Sequence, residues 1–399
     1  MASPEARASG AVELVLDDEV EIVPPGVLTR SMMSMARHPD GSIWLNTQSG
    51  PLYCSGDEGR TWMAVSVEMP GLPLPQVLHG LGIGRDGRLW LTHGSIEERS
   101  DGLYGQDLHV SHSSDGGQTW IRSATDFSRV PPGTPNMQFH EDGNRTFVEQ
   151  SDGTLLFTTT IVPAPQYAEK HPGAELEGYG GQPGDLFSDI VFRSADGGET
   201  WGDPTQVHPT LNPHESNLAI SPTDPAHLLL MSRCQGELPP ETDPDDFMQR
   251  TGNPRPYVKQ GVLFESTDGG RGFQQVGWTN YYGHRANVYW APSNTVVVTG
   301  AGGQGGCLME SCPYGGNVVA RISLDGTGTW LNESGSGVAD MEKARVYELV
   351  PQPPGHSFTT PTVELAPRHF LTVYGWYWGA AQKLRVNGVF WHLEGPGVG

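Results

Sequence analysis

The chain has 399 residues and a formal net charge of −22, and 36% of its residues are hydrophobic. A surface this acidic repels nucleic acids and anionic membranes, so we expect neither as a partner. No apolar run approaches the length of a membrane span, and the N-terminus lacks the basic and apolar regions of a signal peptide. This predicts a cytoplasmic location for the chain as it stands, or a secreted one if a leader has been removed.

The pattern of apolar residues predicts an all-β chain. No long stretch places apolar residues at helical spacing, whereas short runs of Val, Ile, Leu, Trp and Phe recur between Gly, Asp, Asn and Pro. The length fits one large β domain over residues 1–399. Cys307 and Cys312 lie in a glycine-rich loop where they are placed to pair, and Cys54 and Cys234 in strand-like runs are expected to be free thiols.

The first repeat, taken from the N-terminus onwards, is the motif Ser-x-Asp-x-Gly-x-Thr-Trp. It is complete in three segments, Ser55–Trp62, Ser113–Trp120 and Ser194–Trp201. A degenerate copy begins at Ser266, and a fifth copy begins at Ser323 with Thr327 in place of the glycine. The aspartate accepts backbone N–H groups within a hairpin turn, the glycine supplies a positive φ, and the tryptophan covers the blade edge. We therefore interpret the aspartates of these Asp-boxes as structural rather than catalytic.

A second, fainter repeat is a tight turn between two strand-like runs. Its six copies are Pro39–Gly41, Arg85–Gly87, Ser151–Gly153, Ser221–Pro225, Ala291–Asn294 and Ala366–Arg368. Each unit then consists of strand A, this turn, strand B, a connection, strand C, the Asp-box turn and strand D. Six such units predict a six-bladed β-propeller with Asp-box hairpins, the last blade lacking a box. We expect the N-terminal run Val12–Leu16 or Val20–Val23 to pair with Leu384–Leu393 and so close the ring.

This topology places the starts of strands A and the ends of strands B around one mouth of the central channel. Counting back from the A–B turns gives the first set of candidates: Arg30, His79, Arg145, Glu215, Arg285 and Thr360. Counting forward along strand B gives the second set: Gln48, His93, Thr159, Arg233, Tyr374, Trp376 and Tyr377. Four arginines at one mouth, in a chain with 24 Lys plus Arg, suit a substrate carboxylate.

Three long connections follow strands B and are expected on the same face. They span residues 161–189, 235–261 and 301–317. Long loops on a rigid scaffold usually carry function, so we expect them to roof the pocket. We find neither a phosphate-binding glycine loop nor a His/Cys cluster at metal-ligand spacing, and we predict no cofactor and no metal.

With these motifs the chain resembles the sialidase superfamily of Asp-box propellers over most of its length. The resemblance implies a substrate carboxylate held by three arginines, a Tyr–Glu couple as nucleophile and an Asp as acid/base. Arg30 matches the arginine of the family's early Tyr-Arg-Ile-Pro motif. Glu215 and Arg233 match the family's glutamate and the arginine that follows it one hairpin later, and Arg285 matches the third arginine.

Two positions depart from the family pattern. The nucleophilic tyrosine should begin strand A of blade six, but Thr359, Thr360 and Thr362 occupy that stretch. Tyr374 or Tyr377 would have to reach in from strand B. The acid/base aspartate should lie between the first turn and the first box, where residues 42–55 contain no carboxylate.

Three functions remain open from the sequence. The first is a sialidase-like glycoside hydrolase on a sialic or uronic acid glycan, with Arg30, Arg233 and Arg285 as the clamp. In it Glu215 is a base or activates Tyr374, and Asp189 or His79 supplies the proton. The second is a uronate lyase using His79, His93 or Tyr374. The third is a non-catalytic sugar-binding propeller, in which Tyr374, Trp376 and Tyr377 stack against sugar rings.

Overall fold

The computed structural model describes sixteen segments of the chain. They are residues 12–24, 33–48, 50–69, 76–98, 104–106, 108–126, 137–139, 146–163, 188–208, 213–237, 257–282, 284–301, 317–334, 337–351, 359–378 and 383–395. In these segments the chain is an all-β six-bladed propeller, as the repeats predict. Within them no helix has the length and apolar character needed to cross a membrane.

The strands follow one another blade by blade. The N-terminal strand is β1 (Glu13–Val23), and blade one contains β2 (Ser34–Arg37), β3 (Ile43–Asn46), β4 (Leu52–Ser55) and β5 (Met63–Val65). Blade two contains β6 (Gln76–Ile83), β7 (Leu89–Glu98), β8 (Tyr104–Gln106), β9 (His109–Ser113) and β10 (Ile121–Arg122). Blade three contains β11 (Ala124–Thr125), β12 (Met137–Phe139), β13 (Phe147–Glu149), β14 (Leu155–Pro163), β15 (Ser188–Ser194) and β16 (Thr200–Gln206).

The second half of the ring repeats this order. Blade four contains β17 (Pro213–Ile220), β18 (Leu228–Glu237), β19 (Tyr257–Ser266) and β20 (Gln274–Tyr282). Blade five contains β21 (His284–Trp290), β22 (Val296–Ala301), β23 (Val318–Ser323), β24 (Trp330–Leu331), β25 (Gly337–Val338), a 3₁₀ turn (Met341–Lys343) and β26 (Tyr347–Val350). Blade six contains β27 (Thr362–Ala366), β28 (His369–Trp378) and β29 (Lys383–Glu394).

The two ends of the chain meet in blade six. Strand β1 is its outermost strand and pairs antiparallel with β29, in the order β1-β29-β28-β27. Both predicted N-terminal runs take part, since Leu16 faces Trp391 and Val20 faces Gly388 across the ladder. The prediction of ring closure is confirmed. Pairing of the chain ends covers the edge that an open ring would expose.

The Asp-box turns have the predicted bonding. In the first box, Asp57 accepts the backbone N–H of Thr61 at 2.8 Å and the Thr61 hydroxyl at 2.7 Å. The same pair of bonds recurs in the other two complete boxes and in the fifth copy. The threonine hydroxyl and backbone N–H stabilise the charged carboxylate, which lowers the pKa of Asp115 to about 2. These aspartates serve the turns, as predicted.

The core consists of one apolar cluster at each contact between neighbouring blades. Within the described segments there are six such clusters, each built from the facing sides of two adjacent sheets. Alternate residues of a strand contact opposite neighbours, as the period-two geometry of strands requires. Leu371 and Val373 of β28 lie in the cluster shared with blade one, whereas Phe370 and Tyr374 lie in the cluster shared with blade five.

Polar contacts between innermost strands join the blades around the channel. Examples are Leu81 N–H to the Ser34 hydroxyl at 2.9 Å and Leu218 N–H to the Thr146 hydroxyl at 2.7 Å. The last blade joins the first through Met33 N–H, which donates to the Thr359 hydroxyl at 2.5 Å. Hydrogen bonds of this kind therefore connect neighbouring blades next to the channel. We call the end of the channel at which the innermost strands begin the upper mouth, and the A–B turns lie at the opposite end.

Candidate active site at the upper mouth

Three innermost strands share the same irregularity where they begin. One extra residue interrupts the ladder between Leu78 and Gly80 in β6. Equivalent interruptions lie between His214 and Asn217 in β17, and between His284 and Asn287 in β21. A β-bulge bends its strand and re-aims a side chain. The predicted residues His79, Glu215 and Arg285 lie in these three bulges, in blades two, four and five.

Glu215 and Arg233 form a buried ion pair. An Arg233 Nη2 atom lies 3.0 Å from Oε1 of Glu215, and each side chain is only 1% exposed. The pairing joins the first two strands of blade four, where the sequence analysis placed both residues. Attraction between the charges offsets part of the cost of burying them. The same contact means that the Arg233 charge is already matched within the protein.

The backbone at Glu215 is strained. Its φ is +60°, in the left-handed region that a residue other than glycine adopts at a cost of about 1–3 kcal/mol. Its N–H donates to the hydroxyl of Thr160 in the neighbouring blade at 3.0 Å. The next residue, Ser216, exchanges a hydrogen bond of 2.6 Å with the Thr158 hydroxyl. Blade three thus holds the bulge of blade four at two successive residues.

Asp189, on β15 of blade three, contacts Thr160 and is completely buried. Its Oδ1 accepts the hydroxyl of Thr160 and its Oδ2 accepts the hydroxyl of Ser232, both at 2.6 Å. Burial raises the pKa of the nearby Cys234 thiol, and the Asp189 charge adds to that effect. The sequence placed Asp189 at the site as a possible proton donor. The structure places it there as an acceptor of two internal hydrogen bonds.

The two predicted histidines of blade two are both 1% exposed. His93 hydrogen-bonds through Nε2 to the Ser111 hydroxyl at 2.7 Å, and its ring centroid lies 5.6 Å from that of His109. Burial, reinforced by His109 and His79, lowers the pKa of His93 to about 3. His93 is therefore a neutral imidazole throughout the physiological range.

Tyr374 does not have the position that a nucleophile requires, and this prediction is corrected. Its ring packs in the cluster between blades five and six, and its hydroxyl donates to Oε2 of Glu19 on β1 at 3.0 Å. Burial, together with the Glu19 charge, raises the pKa of Tyr374, which disfavours the phenolate. The reason is strand alternation: Val373 and Tyr374 point to opposite neighbouring blades, and neither direction is the channel.

The threonines in strand A of blade six have structural partners. Thr359 bonds to the backbone of Met33, and the Thr360 carbonyl accepts the Thr299 hydroxyl at 2.7 Å. Thr360 is fully buried. In the described part of this blade, the place of the family's tyrosine is therefore taken by residues that join blade six to its neighbours.

Several predicted residues lie outside the described residues or are described only by their strand position. Arg30 and Arg145 lie outside the described residues, as do Cys307, Cys312 and most of the three long connections. For Arg285, Trp376 and Tyr377 only the strand positions are described, on β21 and β28. Cys54 and Cys234 are free thiols, as expected.

Sequence reasoning missed the residues that support Glu215, namely Thr158, Thr160 and Ser232. It also missed Asn217, which donates to the Val288 carbonyl at 2.8 Å and accepts its N–H at 3.1 Å. One signal was present for the asparagine. The segments His214–Asn217 and His284–Asn287 match at their first and last residues and have a small residue at the third position, and these are the bulged segments.

Comparison with known proteins supports the fold. No family model and no curated protein matches the chain. Among solved structures, a Dyadobacter fermentans protein of unknown function is similar with a TM-score of 0.64 and 15% identity, covering 96% of this chain and 99% of that one.

Two other similar structures are glycosidases by name. An α-L-arabinofuranosidase from Fusarium graminearum gives a TM-score of 0.53 at 15% identity, covering 94% and 97% of the two chains. A Trypanosoma rangeli sialidase gives 0.58 at 11% identity, covering 93% of this chain and 58% of that one. At such identities the likeness establishes the propeller fold and leaves the substrate undetermined.

Proposed function

We propose that this protein is a glycoside hydrolase in which Glu215 is the catalytic carboxylate. The observation that carries the proposal is the buried Glu215–Arg233 ion pair, set in a strained bulge where an innermost strand begins. Strained backbone at a channel mouth is characteristic of functional sites. A carboxylate paired with arginine acts as a base or nucleophile rather than as a proton donor.

His79 is the proton donor in this proposal. It occupies the bulge of blade two, the same place in the ring that Glu215 has in blade four. Asp189 suits that role less well because both of its carboxylate oxygens accept internal hydrogen bonds. Tyr374 takes no part, since its hydroxyl bonds to Glu19. Glu215 therefore acts without an intervening tyrosine.

The proposed substrate is a glycan that carries a carboxylate, a sialic or uronic acid. The support is the position of Arg285 in the bulge of β21, together with Arg30 and Arg145, which precede strands A in the sequence. Guanidinium groups bind carboxylates through paired hydrogen bonds. Because Glu215 already matches the Arg233 charge, the clamp consists chiefly of the other three arginines.

A second candidate is a hydrolase of a neutral furanoside. The ion pair with Glu215 favours this candidate, because the Arg233 guanidinium is already engaged and is not available to a substrate anion. Solved structures with this fold include an α-L-arabinanase complexed with arabinobiose, at a TM-score of 0.54 and 14% identity over 94% of this chain. The two candidates share Glu215 and differ only in the ligand.

The test is hydrolysis of fluorogenic α-sialoside, β-glucuronide and α-L-arabinofuranoside by the wild type and two variants. Glu215→Gln removes the charge with little change of shape, and we expect it to lose turnover of whichever substrate the wild type cleaves. Glu364→Gln is the control. Glu364 is also buried, but it accepts backbone N–H groups near an A–B turn, at the end of the channel away from the upper mouth. Wild-type turnover by Glu215→Gln refutes the role of Glu215. A gain of ultraviolet absorbance in an unlabelled polyuronate, from an unsaturated product, indicates a lyase instead.

A further inference from the structure

Hydrogen bonds connect both strands of the Glu215–Arg233 pair to a single residue, Asp189. The Glu215 N–H donates to the Thr160 hydroxyl at 3.0 Å, and that hydroxyl donates to Asp189 at 2.6 Å. On the other strand, Ser232 donates to Asp189 at 2.6 Å and immediately precedes Arg233. Asp189 belongs to β15 of blade three, while the ion pair belongs to β17 and β18 of blade four.

We infer that Asp189 is the positioning residue of the active site, which rests on the proposed function of Glu215. Acting through Thr160 and Ser232, it fixes the two strands whose side chains form the ion pair. It does not itself touch the substrate, since it is fully buried and its oxygens are turned towards the two hydroxyls. This replaces the expectation that Asp189 donates a proton.

The geometry explains why a carboxylate is needed at this position. A hydroxyl has one proton, so Thr160 must give that proton to Asp189 in order to accept the Glu215 N–H. An ionised carboxylate is an acceptor at both oxygens and imposes this direction on Thr160 and on Ser232 alike. An amide offers an acceptor on one side and donors on the other, so one of the two hydroxyls loses its acceptor and has to accept the amide N–H instead.

A left-handed residue other than glycine persists only where its surroundings over-determine it. At Glu215 the surroundings are the Thr160 hydroxyl on the backbone N–H and the Thr158 hydroxyl on Ser216. Loss of the first contact frees the N–H and allows the bulge to relax. The carboxylate then shifts, and a misplacement of about 1 Å lowers turnover by roughly 100-fold while substrate affinity is little changed.

Threonine substitutions provide a matched set of variants. Thr160→Val removes the hydroxyl that links Asp189 to Glu215, and Thr160→Ser restores it. Thr372→Val is the control, because Thr372 is equally buried but its hydroxyl bonds to Thr362 and Trp391 within blade six. Asp189→Asn tests the other end of the link, and Ser232→Ala tests the second branch.

The first readout is the division of the effect between kcat and KM on the substrate of the wild type. We expect Thr160→Val and Asp189→Asn to lower kcat by about 10- to 100-fold with KM within roughly threefold. Thr160→Ser and Thr372→Val should remain near the wild type. A Thr160→Val enzyme with wild-type kcat overturns the inference, and so does an equal loss in Thr372→Val, which would indicate general damage to packing.

The second readout does not depend on activity. Amide hydrogen exchange of the segment Pro213–Ile220 reports the bond from Glu215 N–H to Thr160. We expect faster exchange in Thr160→Val and Asp189→Asn but not in Thr372→Val. If the wild type cleaves none of the three glycosides, the proposed hydrolase fails while exchange still decides the positioning role. Unchanged exchange in both Thr160→Val and Asp189→Asn refutes that role. Should Thr160→Val not fold, Ser232→Ala and Asp189→Asn carry the same test.

Discussion

Removing one charge of the Glu215–Arg233 pair should destabilise the fold strongly. Both side chains are 1% exposed and their charged atoms lie 3.0 Å apart, so removing either partner takes away a buried counter-charge of the other. Breaking such a pair costs about 3–5 kcal/mol, whereas replacing both partners with neutral groups costs much less. We therefore expect Glu215→Gln and Arg233→Met each to lower the free energy of unfolding by about 3–5 kcal/mol.

The double variant Glu215→Gln/Arg233→Met gives the coupling between the two sites. It should be more stable than the sum of the single effects predicts, by about 2–3 kcal/mol, because neither charge is left unpaired. The assay is equilibrium unfolding in urea followed by tryptophan fluorescence and circular dichroism, with coincident transitions as the test of two-state behaviour.

An exposed ion pair provides the control. Arg60 and Asp18 are 3.1 Å apart, but their side chains are 54% and 73% exposed. Solvent screens such a pair, so Asp18→Asn should change the free energy of unfolding by less than about 1 kcal/mol. A Glu215→Gln effect as mild as that of Asp18→Asn, or simply additive single effects in the buried pair, would show that the two buried charges are not coupled.

Two further predictions concern ring closure and blade packing. Burial opposes protonation of His392, but hydrogen bonds to two carboxylates, including Asp17 of β1, outweigh it and raise its pKa above 6.5. This contribution is complete below pH 6.5 and is lost as pH rises through the folded pKa, so urea unfolding of His392→Gln should lack that pH dependence. Gly198 has φ +86° and a Cβ there would lie 1.9 Å from the Trp90 ring, whereas Gly197 has φ +72° and open space. Gly198→Ala should therefore lower Tm clearly more than Gly197→Ala, and equal losses would contradict the packing argument.

The fold was predictable because its defining signals are local. An Asp-box closes its bonds within four residues, as from Asp57 to Thr61, and its sequence pattern is therefore sufficient to identify the turn. The A–B turns are equally local. Once the turns are placed, counting along the strands predicts which residues lie at the upper mouth, Glu215 and Arg233 among them.

Tyr374 illustrates the limit of counting. Its distance along the chain from the A–B turn is suitable for the upper mouth, but strand alternation turns the ring towards blade five. In a propeller, both faces of every blade are buried against neighbours, so hydrophobic alternation does not distinguish a side chain in the channel from one between blades. Only the innermost strands border the channel along their whole length.

The supporting contacts of Glu215 lay beyond sequence reasoning for a related reason. Thr160 lies 55 residues before Glu215, and Asp189 and Ser232 are 43 residues apart, with each partner on a different blade. No local pattern marks a hydroxyl that bonds across a blade interface, and such residues are otherwise typical strand formers. The strand position of Glu215 can thus be predicted from one blade, whereas its orientation depends on the adjacent blade. A change in Asp189 or Thr160 would then alter the site without altering any box or turn that identifies the fold.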